Sequence, residues 1–128
     1  MKTLILALFL PALAFAAPDA NFYRALNLVE TSGRSGPILG DHGKALGPLS
    51  IHRQYWQDSG VPGDYQGCAQ LAYSVRVVSA YLKRYAPHAW ETGDLETLAR
   101  VHNGGPHGAQ KEATLPYWRK IRAALTRP

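Results

Sequence analysis

The chain has 128 residues, 14 Lys plus Arg against 9 Asp plus Glu, a formal net charge of +5 and a single cysteine. That length fits one domain able to bury its own core, and one cysteine excludes an internal disulfide framework. The basic residues are scattered, with only short clusters such as Lys83-Arg84 and Arg119-Lys120; this excludes a nucleic-acid-binding arm and suits an anionic surface.

Lys2 precedes the apolar run "TLILALFLPALAFA", and Ala14-Phe15-Ala16 supplies the small residues of a cleavage site. Residues 1–16 therefore read as a secretory signal peptide and 17–128 as the domain, because the run falls short of the roughly 20 residues a membrane span needs. With Asp19 as cap, "ANFYRALNLVE" predicts a helix with Phe22, Leu26 and Val29 on one face, stopped at Gly33. Between Ser35 and Pro48, Gly36, Pro37, Gly40, Gly43, Gly47 and Pro48 exclude a helix. They predict a turn-rich loop or small β-hairpin, with Ile38 and Leu39 as its only strand-like residues.

A short helix is expected in "IHRQYWQDSG". After Pro62-Gly63, Asp64 caps a long amphipathic helix, "YQGCAQLAYSVRVVSAYLKRYA", with an apolar stripe of Cys68, Leu71, Ala72, Val75, Val78, Leu82 and Tyr85. Cys68 on that stripe reads as a buried small hydrophobe, and Pro87 ends the helix. Asp94 caps "LETLARVHN", Gly104-Gly105-Pro106 terminate it, and Thr114 with Pro116 opens a last helix facing inward with Tyr117, Ile121 and Leu125. The result is one mostly helical domain with an irregular lobe.

One acid precedes that lobe and a second lies within it. Glu30 sits in the last turn of the first helix, roughly 80° around from Phe22, at the edge of the apolar stripe. The negative helix end and apolar neighbours both oppose ionisation, so its pKa is expected to rise, as a general acid of glycoside hydrolysis requires. Asp41, in "GDHG", has the setting of a turn former. It is also placed to be the second carboxylate of such a pair, a role for which Asp58 and Asp64 compete. The histidines show no ligand spacing such as His-Glu-x-x-His, so no metal site is expected.

The stretches "YWQDSGVPGDYQGCAQLAYSVRVVSAYLKRYA", "LARVHNGGPHG" and "ATLPYWRKI" resemble the invertebrate-type lysozymes, the group that includes the destabilases. That pattern runs Tyr-Trp-x-Asp-x-Gly-x-Pro-Gly, a helix from Cys-Ala to Tyr-x-x-Arg-Tyr, then Ala-Arg-x-His-Asn-Gly-Gly-Pro-x-Gly and a closing Tyr-Trp. The resemblance extends from Leu26 to about Leu125. It implies an α+β, mostly helical, lysozyme-like fold in which a helical lobe and a small β-hairpin lobe flank a cleft. By the same resemblance Glu30, in "VETSG", is the general acid and Asp41, in "GDHGKALGPLSI", the second carboxylate, with Ser50, Tyr55, His102 and Asn103 binding substrate.

The implied protein is a secreted or periplasmic, monomeric muramidase. It cleaves the β-1,4 bond between N-acetylmuramic acid and N-acetylglucosamine in peptidoglycan without cofactor, and has no nucleic-acid partner and no membrane attachment after signal cleavage. Three alternatives stand beside it: a lytic transglycosylase using Glu30 alone, a destabilase-like isopeptidase with Ser50 or Ser32 as nucleophile, and a non-catalytic cell-wall-binding module. Two departures from the family pattern mark this chain. Positions where the family carries cysteines hold residues such as Arg34, Ser59, Ser74 and Val78, which shifts the burden of folding onto packing of the long helix; and Ser50 stands where lysozymes of this pattern carry Gln.

Overall fold

The computed structural model describes residues 17–128; the segment 1–16, read above as a signal peptide, lies outside the described residues. The first helix, α1 (Ala20–Thr31), starts where the Asp19 carboxylate accepts the Phe22 amide at 3.2 Å. It closes where Ser32 turns left-handed and the Gly33 amide reaches back to the Asn27 carbonyl, an arrangement that satisfies the last free carbonyls. Phe22, Ala25 and Leu26 are buried.

The lobe that follows is a three-stranded antiparallel sheet rather than a single hairpin: β1 (Leu39–Gly40), β2 (Ala45–Leu46) and β3 (Ile51–His52), in that order. Leu39 pairs Leu46, and Gly40 pairs Ala45; Ala45 pairs His52, and Leu46 pairs Ile51. Ile38 falls outside the strands, and Ile51, assigned above to a helix, supplies the third one. Leu46, Leu49 and Ile51 drive the lobe onto the core. Polar ties fix its position: Asn27 Nδ2 donates to the carbonyls of Arg34 and Pro48 at 2.8 and 3.2 Å, and Thr31 Oγ1 donates to that of Pro48 at 2.9 Å. The end of α1 is thereby sewn to the turn before β3.

After α2 (Arg53–Ser59), the predicted long helix splits. Asp64 does act as a cap, but of a 3-10 turn, Tyr65–Ala69; Gln70 is extended at φ −94°, ψ 128°, and α3 (Leu71–Tyr85) begins a new phase. The break has a packing cause. The β-lobe presses on this turn, with the Gly36 amide bonded to the Ala69 carbonyl and Gly47 against the Cys68 carbonyl. The buried stripe of α3 is accordingly Ser74, Val77, Val78, Tyr81 and Leu82, and Leu71 is exposed. Cys68 is fully buried.

Pro87 ends α3 but also opens α4 (Pro87–Thr92), where its fixed φ suits a first helical position. Asp94 caps α5 (Leu95–Gly104) through the Thr97 amide, and α6 (Leu115–Leu125) packs Ile121 and Ala124 against α1 and α5. Thr114 does not cap α6; its hydroxyl bonds the carbonyls of Gly108 and Lys111. At the positions that the resemblance gives to cysteines, this chain makes local bonds and apolar contacts. Ser74 Oγ donates to the Cys68 carbonyl at 2.7 Å, Ser59 Oγ to the Trp56 carbonyl at 2.6 Å, Arg34 Nε to the Thr31 carbonyl at 3.0 Å, and Val78 is buried in the core. Among the described residues no helix is long and apolar enough to cross a membrane.

Candidate active site

Three chain segments converge on one cavity of about 370 Å³. The end of α1 supplies Glu30; the sheet and its turns supply Gly40, Asp41, Ala45, Ser50 and His52; α2 and the end of α5 supply Tyr55, His102 and Asn103. All six residues singled out in the sequence, Glu30, Asp41, Ser50, Tyr55, His102 and Asn103, line it. The competing acids lie elsewhere, as Asp58 accepts from Gln54 and Asp64 caps its own turn. Ser32 lines a different groove, between α1 and α6.

Glu30 is mostly enclosed, with 18% of its side chain exposed. Tyr117 of α6 donates to its Oε1 at 2.7 Å, and His102 Nε2 stands 3.6 Å from the same oxygen. The other imidazole nitrogen, Nδ1, is 3.0 Å from the Tyr55 hydroxyl. Tyr55 is itself stacked on Tyr81, with ring centroids 3.6 Å apart. Burial pushes the Tyr55 and Tyr117 phenols well above their ordinary values, so both remain neutral donors.

The expected rise in the Glu30 pKa is not found. Burial does push the carboxyl up, but hydrogen bonds from His102, Tyr117 and Ser50, with the charge of His102, more than offset it and hold the group below the ordinary carboxylate value. Local sequence accounts for the apolar neighbours and the helix end. It does not reveal donors that arrive from α5, α6 and the turn before β3.

Asp41 has a different setting. It is about half exposed, in a 3-10 turn, Asp41–Gly43, where both Asp41 (φ 47°) and His42 (φ 56°) are left-handed. Its Oδ2 lies 3.1 Å from His52 Nε2. The cavity thus holds one enclosed carboxylate surrounded by donors and one open carboxylate beside an imidazole, a pairing suited to two different roles in glycosidic cleavage. No group of three His, Cys, Asp or Glu side chains able to hold a metal ion occurs among the described residues.

Tyr117 and His52 belong to the site and were not picked out by sequence. For Tyr117 a signal existed, since a buried phenol needs a partner; for His52 there was none, because its partner Asp41 is brought to it by the fold of the sheet.

A family model described as Destabilase matches residues 28–124. Lysozyme 1 of Crassostrea virginica is 46% identical over 81 residues, covering 62% of this chain and 44% of that protein. The invertebrate-type lysozyme of Ruditapes philippinarum is 40% identical over 80 residues, covering 61% of this chain and 59% of that protein. The chain spans about half the length of the curated relatives it matches. Among solved structures, Meretrix lusoria lysozyme in complex with Aeromonas hydrophila PliI superposes with a TM-score of 0.72 at 30% identity, covering 84% of this chain and 91% of that one. Tapes japonica lysozyme gives 0.71 at 34% identity, covering 84% and 93%.

Proposed function

The chain belongs to the Destabilase family, and from that membership we propose that it is an exported muramidase, hydrolysing the β-1,4 bond between N-acetylmuramic acid and N-acetylglucosamine in peptidoglycan. The observation that carries this reading is the shared cavity of Glu30 and Asp41, bordered by hydroxyl, amide, imidazole and aromatic groups of the kind that hold sugars. Glu30 is the general acid: a glycan filling the cavity excludes water, strengthens the desolvation of its carboxyl and drives a proton onto it. Asp41 attacks or stabilises the developing oxocarbenium-like carbon. Ser50, Tyr55, His102 and Asn103 bind and orient the sugar.

Residues 1–16 serve as the signal peptide, and the mature chain, whose formal charge falls from +5 to +4 with the loss of Lys2, is drawn onto the anionic wall. A second carboxylate in the same cavity favours hydrolysis over the transglycosylase route, which needs the acid alone. The test is digestion of purified cell walls by wild type and E30Q, with analysis of the products. Reducing ends from wild type and none from E30Q are expected; anhydro-sugar ends point to the transglycosylase, and equal clearance by both removes Glu30 from the mechanism.

A further inference from the structure

We propose that His52 is a positioning residue whose imidazole holds the carboxylate of Asp41 in the cavity it shares with Glu30. The inference rests on the hydrolase reading above and adds to it a residue with no assigned role.

The two partners are anchored very differently. His52 is in β3 and pairs with Ala45 across the sheet, so its backbone is fixed by a ladder. Asp41 belongs to a three-residue turn in which it and His42 both take left-handed backbone angles. Among the described residues no other side chain bonds the Asp41 carboxylate, which meets His52 Nε2 at 3.1 Å. Ser50, in the turn before β3, and His52, in β3, both line the cavity. Arg53, the next residue, is directed onto the Tyr65 ring, 4.4 Å from its centroid, and does not supply the charge instead.

Both members of the pair are about half exposed, and ion pairs of that kind add little to stability. Orientation is what the pair provides. A carboxylate that must meet a sugar carbon from one side loses rate steeply when its geometry loosens.

The experiment compares wild type, H52A, H52K and E30Q on purified peptidoglycan under one set of conditions, with thermal unfolding of each to establish that they fold. H52A is expected to lose roughly 10- to 100-fold in kcat with KM little changed. H52K, which keeps an N–H donor within reach of the carboxylate, is expected to restore most of that rate. A folded H52A with kcat within two-fold of wild type overturns the proposal, as does an H52K as slow as H52A. Failure of the hydrolase reading itself looks different: wild type and E30Q then clear walls alike, and the role of His52 falls with it.

Discussion

The phenol of Tyr117 donates to Oε1 of Glu30 at 2.7 Å, joining the last helix to the end of the first across 87 residues of sequence. The bond does two things at once. It aims the carboxyl, and by favouring the ionised form it lowers the carboxyl's pKa.

Tyr117→Phe separates these effects from packing, since the ring stays and only the hydroxyl goes. Losing a donor to the carboxylate lets the pKa of Glu30 rise, so the acid keeps its proton to higher pH. The alkaline limb of kcat/KM, which reports the free enzyme, is expected to move upward, with a stability loss of about 1 kcal/mol. A pH-rate profile and a denaturant titration check both; a limb that stays in place contradicts the role given to the phenol.

The two carboxylates are tested by isosteric neutralisation. E30Q is expected to clear cell walls about 10²- to 10⁴-fold more slowly than wild type, the range general acid catalysis supplies, while still sedimenting with the walls. D41N is expected to fall as well, with KM little altered. Near-normal turnover in D41N assigns the chemistry to Glu30 alone.

Acid stability follows from the same site. A group whose folded pKa lies below its ordinary value of 4.5 contributes stability that is present above that pH and is lost as pH falls through the lower, folded value. Wild type is therefore expected to lose stability below about pH 4.5 more steeply than E30Q, which has no proton to take up there. Thermal melts across the acid range decide it, and parallel curves count against the pKa assigned to Glu30.

Much of this architecture was legible from residues that act locally. Asp19 and Asp94 cap the helices they precede, and Pro and Gly between 35 and 48 mark the irregular lobe. Ile51 and the phase of α3 were not, because both are set by tertiary contact: Ile51 becomes a strand by pairing with Leu46, and Gln70 breaks the helix because the β-lobe seats against the turn before it. The six site residues carried recognisable motifs. Tyr117 and His52 act through partners 87 and 11 positions away, distances no local pattern spans.

Cys68 offers a probe of that packing. Its side chain is fully buried, and burial pushes the thiol up to about 11, so a reactive thiolate is scarce at neutral pH. Ellman's reagent is expected to label the native protein only on the timescale of unfolding and to label it at once in denaturant. Rapid native labelling contradicts the close fit between Cys68 and the β-lobe.

That fit depends on Gly47. Its φ is 82°, a left-handed value that side chains resist, and a Cβ built there falls 1.8 Å from the Cys68 carbonyl oxygen and 2.7 Å from its carbon. The obstacle is backbone, which cannot rotate aside, so Gly47→Ala has to push the turn before β3 away from Tyr65–Ala69. Because Pro48 in that turn also receives the bonds of Asn27 and Thr31, the displacement reaches the end of α1 and with it Glu30. The expected cost is about 3 kcal/mol or more, from overpacking and backbone strain together. Activity is expected to fall even in the fraction that folds, because Ser50 and His52 leave their places opposite Glu30 and Asp41. Denaturant unfolding measures the first effect and kcat normalised to folded protein the second. A variant as stable as wild type places the close approach of lobe and turn in error.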